Sequence, residues 1–280
     1  MTMIRFSCLA YKNLYLYFSQ LNLKICLLFV CLITIQLTGC STMMPIQKIK
    51  PELMAQQKNE IVVLLHGLAR TEKSMSSLQH TLQQHHYQVL NLYYPSRHHS
   101  IDVLAQQFVL PQLQKLGDPK DIKVHFVTHS MGGIIVRYLA HHQMFTPSGR
   151  VVMLGPPNHG SEIVDKIGHW TLFNKLNGAA GNQLSTYWDS IPNQLGRANF
   201  EVGVIAGDRS INWINSRMIY GADDGKVSVE SAKLEGMKDF MVVHTTHPMM
   251  MKNSKVMKQT LHFLKHGYFY RHQSSQILIR

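Results

Sequence analysis

Cysteine is scarce, and where it occurs it clusters at one end. The chain has 280 residues and 4 Cys; Cys8, Cys26 and Cys31 fall within the first 39 residues and the fourth is Cys40. Residues 41–280 hold none, which excludes a disulfide scaffold or a cysteine metal site there. Acids are also few, with 16 Asp+Glu against 28 Lys+Arg. The basic surplus is scattered and the Gly-rich segments are turns, so nothing resembles the electrostatic footprint of a nucleic-acid binder. No apolar run reaches the roughly 20 residues of a membrane-spanning helix. With 45% hydrophobic residues the composition is equally remote from disorder. The first 39 residues contain three bases (Arg5, Lys12, Lys24) and no acid, leaving 25 bases and 16 acids over the remaining 241 residues. That length suits one domain with a substantial core.

The opening segment reads as an address. Lys24 precedes an apolar run from Ile25 to Leu37, broken only by Thr34 and Gln36 and short enough for the apolar core of a signal peptide. Leu37-Thr38-Gly39-Cys40 follows directly and resembles a bacterial lipobox. The resemblance implies a signal peptide over 1–39, with small residues at 38 and 39 admitting a peptidase and the Cys40 thiol taking a diacylglyceryl group. Two or three acyl chains make such an anchor stable. Ser41, rather than Asp, implies sorting to the outer membrane, with the chain facing the periplasm. The stretch before Lys24 is long for such a leader, which leaves a start downstream of Met1 open. Residues 40–59, polar with Pro45 and Pro51, read as a tether.

From Glu60 onward, short apolar runs alternate with helical patterns, which predicts a mainly parallel sheet with crossover helices. Strands are expected at Ile61–Leu65, Gln88–Tyr93, Lys123–Thr128, Val151–Leu154, Glu201–Ala206 and Phe240–Val243. Helices are expected over about 73–85, 101–116, 131–143 and 254–266, the second kinked or divided at Pro111. Residues 160–197 lose this periodicity, become rich in Gly and Asn, and carry Trp170, Leu172, Phe173, Leu176, Tyr187 and Trp188, the composition of an inserted cap. The domain is expected to span 60–267, with 268–280 as a tail.

The sharpest signal is Val124-His125-Phe126-Val127-Thr128-His129-Ser130-Met131-Gly132-Gly133, a strand running straight into a helical pattern. A serine at such a turn is held strained with its oxygen above the sheet, provided the residues two before and two after are small. Gly132 meets that requirement and Thr128 meets it imperfectly; a plain helix N-cap is the bland alternative for Ser130. The strand Val62–Leu65 ends in His66-Gly67-Leu68, where a backbone N–H of Leu68 could join that of Met131 in an oxyanion hole. An acid and a base should follow the serine in chain order. Gly221-Ala222-Asp223-Asp224-Gly225-Lys226-Val227-Ser228 offers Asp224, with Asp208 and Asp223 as alternatives. Thr246-His247-Pro248 offers His247, with His244 as its rival. His66 and His129 read as packing. The doublets His85-His86, His98-His99 and His141-His142 lack Cys or acids at ligand spacing.

Taken in order, His66-Gly67-Leu68, Thr128-His129-Ser130-Met131-Gly132, Pro157-Asn158-His159-Gly160-Ser161, Asp224-Gly225-Lys226-Val227-Ser228 and His247 resemble the bacterial lipases and esterases of the α/β-hydrolase superfamily. The resemblance covers 60 to about 267. It implies an α/β-hydrolase fold, with a mainly parallel sheet flanked by helices and a small cap. It further implies ester hydrolysis by Ser130, Asp224 and His247 with no cofactor. Residues 248–252 are Pro, Met, Met, Met, Lys, so no calcium or other metal is expected beside the histidine. The expected partners are an ester or lipid substrate and, through Cys40, a membrane; no nucleic acid and no obligate protein partner is indicated. Acyl transfer on the same triad, or a non-catalytic envelope lipoprotein that keeps the fold, are the competing readings.

Overall fold

Glu60–Leu65 (β1) is the strand on which the molecule is built, and Val62, Val63, Leu64 and Leu65 are all fully buried. An unbroken apolar strand of this kind belongs in a parallel sheet covered on both faces. The computed structural model describes residues 60–117, 121–211 and 216–271. The expected signal peptide, lipobox, Cys40 and tether, and most of the tail, lie outside the described residues.

The remaining strands are Gln88–Leu92 (β2), Lys123–His129 (β3), Val151–Leu154 (β4), Val202–Gly207 (β5) and Asp239–Val243 (β6). They pair in the order β2-β1-β3-β4-β5-β6, every pair parallel. All six expected strands are present within a residue or two of the sequence reading. The order reverses between β1 and β3, where Leu65 lies opposite Thr128. A crevice opens beyond the strand ends at such a switch point. His66-Gly67-Leu68 and Ser130 are the residues that leave the sheet there.

Helices take the two faces according to the period-2 alternation of the strands. Val62, Leu64 and Val127 pack with Ser76–Gln84 (α1) through Leu78 and Leu82, while the last helix contributes Val256, Phe263 and Leu264. A 3-10 turn, Glu72–Met75, leads into α1. On the other face Val63, Leu65 and Phe126 meet Met131, Ile134, Ile135 and Leu139, together with Leu104, Val109 and Leu113. Leu104 and Val109 belong to a π-type stretch, Leu104–Val109, that follows Ile101–Val103 (α2), and Leu113 belongs to Leu110–Gln114 (α3). Pro111 stands in the first turn of α3, so the expected helix is divided just before it. Proline has no N–H to give and crowds the carbonyl four residues back, and the wider turn relieves both.

Met131–His141 (α4) follows β3 directly. The segment between β4 and β5, expected to be irregular, is instead helical in three pieces: Glu162–Ile167 (α5), Thr171–Asn182 (α6) and Ile191–Gln194 (α7). Its sequence period is hidden by the breaks. Gly178 interrupts α6 at φ 66°, where a Cβ would stand 1.8 Å from the Arg97 carbonyl oxygen. Val229–Ala232 (α8) and Ser254–His266 (α9) complete the chain, α9 capped by the Asn253 side chain, which accepts from the Lys255 and Val256 N–H groups.

Arg137 fastens the inserted segment to the core. Its guanidinium is buried on α4 and donates to the carbonyl oxygens of Asn158 (2.9 Å), Pro192 (2.9 Å) and Gly196 (2.8 Å), and to Asn158 Oδ1 (3.2 Å). Burial pulls its pKa down to about 10, and the carbonyls take the place of a counter-ion. Asn158 passes the link onward, donating to the Ala232 carbonyl at 2.8 Å. The Pro157–Ser161 run is therefore a structural brace.

Candidate active site

Ser130 follows the last residue of β3 and caps α4 at φ 54°, ψ −126°. A non-glycine residue rarely adopts that backbone, which costs of order 1–3 kcal/mol and persists only where its surroundings enforce it. Here the Ser130 N–H is tied to the Leu154 carbonyl (2.9 Å) and the Ser130 carbonyl accepts from Gly133 N–H (3.0 Å). A Cβ on Gly132 would lie 2.6 Å from the Leu65 carbonyl oxygen, so strand and helix do approach as closely as the sequence pattern requires. Thr128 is accommodated by a second glycine. Its Oγ1 lies 3.3 Å from where a Gly133 Cβ would be, in space that a side chain at 133 would fill.

The acid and base candidates sort themselves by geometry. Asp224, 1% exposed, sits on the loop beyond β5, and His247, 6% exposed, on the loop after β6. His247 Nδ1 and Asp224 Oδ2 are 2.7 Å apart, and the backbone adds a bond from His247 N–H to the Asp224 carbonyl at 2.9 Å. Asp224 Oδ1 accepts from the N–H groups of Lys226 (3.0 Å) and Val227 (2.9 Å), which fixes the carboxylate plane. The rivals pair with each other: His244 Nδ1 lies 2.9 Å from Asp208 Oδ1, both residues exposed. Asp223 accepts from Ser216 Oγ (3.0 Å) and Gly225 N–H (2.7 Å) and so braces its own loop.

Ser130, His247, Leu68 and His129 line one cavity of about 300 Å³, whose wall includes the apolar Ile163, Val164 and Leu184 and also polar and charged side chains. Met131 opens α4, at a position where the helix offers its N–H no acceptor. Gly67 holds the other side close, since a Cβ there would stand 3.0 Å from Ser130 Cβ.

His129 does more than pack. Burial first, and His247 second, hold its pKa well below the usual histidine value, so it is neutral. Its Nε2–H donates to the His247 carbonyl at 3.0 Å, and the two rings are 4.6 Å apart. It thus joins the serine turn to the loop bearing His247. His66 is fully buried, stacked on Tyr94 at 4.0 Å, and its pKa is lowered by burial. Its Nδ1–H donates to the Gly67 carbonyl (2.9 Å), and Tyr94 Oη donates to the His66 carbonyl.

Gly155 and Gly207 escaped the sequence reading. Gly155 has φ 55°, and a Cβ there would come within 3.0 Å of Asp224 Oδ2 and 3.1 Å of His247 Nδ1. A Cβ at Gly207 would meet Asp224 Cβ at 2.8 Å. Their only sequence signal is a glycine at the end of a predicted strand. Among the described residues no group of three or more His, Cys, Asp or Glu could hold a metal ion, and the described His doublets are separate from the cavity.

Comparison with known families adds a label. A family model described as "Domain of unknown function (DUF7379)" matches residues 32–198. The chain belongs to this family. Within the matched DUF7379 span lie Leu68, Ser130 and the brace at Asn158, whereas Asp224 and His247 lie beyond it. No curated protein matches the sequence. Among solved structures, the lipase BlEst2 of Bacillus licheniformis in its propeptide form is 18% identical, with a TM-score of 0.59 over 75% of this chain and 50% of that one. This chain therefore spans about half the length of that structure. The mature form of BlEst2 is 19% identical (TM-score 0.56, 73% of this chain and 90% of that one). Phospholipase PlaB of Legionella pneumophila is 20% identical (TM-score 0.52, 62% and 45%). At these identities the likeness is one of fold, and this DUF7379 chain has the α/β-hydrolase fold.

Proposed function

We propose that the chain is a serine hydrolase of carboxylic esters, with Ser130 as nucleophile, His247 as base and Asp224 as the acid that orients it. The observation that carries this reading is the 2.7 Å contact between His247 Nδ1 and Asp224 Oδ2 at a cavity shared with a strained Ser130. Ser130 Oγ adds to the ester carbonyl carbon as its proton passes to His247 Nε2, and Asp224 stabilises the imidazolium. The N–H groups of Leu68 and Met131 hold the developing oxyanion. Collapse breaks the bond to the leaving alcohol, which takes the proton from His247. Water then repeats the sequence on the acyl-enzyme, releasing the acid and restoring Ser130.

The name of BlEst2 as a lipase and of PlaB as a phospholipase supports lipid-like esters as substrates. The helical segment 160–197 is the cap over the cavity. Anchorage through lipidated Cys40 to the outer membrane, facing the periplasm, completes the proposal.

The full chain in non-ionic detergent, with and without Ser130→Ala, is to be treated with a fluorophosphonate probe and a series of p-nitrophenyl esters of increasing chain length. Labelling and turnover should be present in the wild type and absent in the variant. A folded wild type that neither labels nor turns over any ester refutes the reading. Acylation of an added alcohol in excess of free acid would redirect it to acyl transfer. Anchorage is checked by metabolic labelling with a fatty acid, which Cys40→Ala should abolish.

A further inference from the structure

Two charged side chains line the cavity that holds Ser130 and His247, Arg70 and Lys226, and both are cations. They come from different parts of the chain. Arg70 lies two residues beyond Leu68, and Lys226 two residues beyond Asp224, with its own N–H on the Asp224 carboxylate. Neither forms an ion pair with a carboxylate among the described residues. Both residues are exposed at the cavity, and the Lys226 ammonium is pushed towards its neutral form, first by desolvation and then by Arg70, with Asp224 resisting. Two cations thus stand on the wall of one cavity with no ion-pair partner among the described residues, an arrangement that suits an anionic ligand.

Ile163, Val164 and Leu184 offer an apolar surface for an acyl chain. Lys226 belongs to the loop that carries Asp224 and, through it, His247, the group that must hand a proton to the leaving alcohol. We propose that Arg70 and Lys226 form an anion subsite on the alcohol side of the cavity, so that the preferred substrates are esters whose alcohol portion bears a phosphate. An arginine fork with a lysine point charge suits phosphate oxygens. The inference rests on the ester-hydrolase reading above. The shared chemistry is an acyl ester of a phosphorylated alcohol, present both in a phospholipid and in a soluble phosphoester.

The test compares kcat/KM of the full chain on two monomeric short-chain esters, butyryl-glycerol and butyryl-glycerol phosphate, and on vesicles carrying long-chain versions of each. The wild type should favour the phosphorylated monomer by at least about tenfold, with the difference mainly in KM and diminishing as salt is raised. Arg70→Gln/Lys226→Gln should remove most of that ratio. Arg70→Glu/Lys226→Glu should turn it below one. A wild-type ratio near one, or a ratio unaltered in both double variants, overturns the subsite. So does a preference confined to vesicles, which would place the attraction on the protein's general surface. If Ser130 takes the fluorophosphonate but both glycerol esters are inert, the substrate class is wrong while the nucleophile stands. If nothing labels and nothing turns over, the hydrolase reading falls and the subsite with it.

Discussion

Ser130 is held at φ 54° by bonds on both sides of it, which offset a backbone conformation costing of order 1–3 kcal/mol. The residues around it make separable predictions. Asp224→Asn should lower turnover of a chromogenic ester by about 10⁴-fold, since the wrong histidine tautomer is favoured. Asp208→Asn, which breaks only the exposed contact to His244, should leave turnover near wild type; steady-state kinetics of the two side by side decides between the acids. The order of motifs in the sequence pointed to Ser130 and His247 because the chemistry demands those residue types at strand ends. It left Asp224, Asp223 and Asp208 open, because which carboxylate reaches the imidazole depends on how two loops fold back. Gly155 was invisible for a similar reason. Its closeness to Asp224 and His247 is created by the sheet, and no spacing along the chain encodes it.

Two of the buried histidines carry a pH consequence. His129 and His66 both have folded pKa values below that of the unfolded chain, so the unfolded state binds more protons as pH falls. Their contribution to stability is intact above the unfolded histidine pKa, about 6.5, and is lost as pH drops below it. Thermal melts should show Tm falling from pH 7 to pH 5. His129→Gln, which keeps a donor for the His247 carbonyl but cannot take up a proton, should flatten that fall. An unchanged slope would remove His129 from the account.

At the scale of elements, each strand was legible as a short apolar run, and the helices at 101–116, 131–143 and 254–266 because their apolar residues repeat at helical spacing. The helices of the 160–197 segment were not. Gly160 at φ 86° and Gly178 at φ 66° break the period, and the segment is held by its own Thr186–Asp165 contact and by Arg137, distant in sequence. The turn from β3 to α4 has little slack. Gly132→Ala places a methyl 2.6 Å from the Leu65 carbonyl oxygen, and should cost about 1–3 kcal/mol in urea denaturation and most of the activity. Gly203→Ala makes a second test away from the cavity. Its Cβ would lie 2.5 Å from the Phe263 ring, so α9 must shift off β5, with a stability loss of similar size and little change in KM.

At the scale of the described domain, the six-stranded parallel sheet gathers the proposed catalytic residues at one rim. His66-Gly67-Leu68, Ser130, Gly155, Asp224 and His247 all lie at or beyond the carboxyl ends of strands. The alternation of apolar runs with helical patterns made that architecture legible from sequence. The direction of the strand order, and with it the position of the switch point between β1 and β3, was not legible, because pairing between distant strands leaves no local trace.

The guanidinium of Arg137 has a further consequence. It gathers carbonyl oxygens from Asn158, Pro192 and Gly196, and Asn158 in turn reaches Ala232. Segments that are far apart along the chain thereby open and close together. In hydrogen exchange, the amides around 158–161, 192–198 and 231–232 should share one opening free energy, as a single cooperative unit. Arg137→Ala should separate them, with the 192–198 amides exchanging fastest.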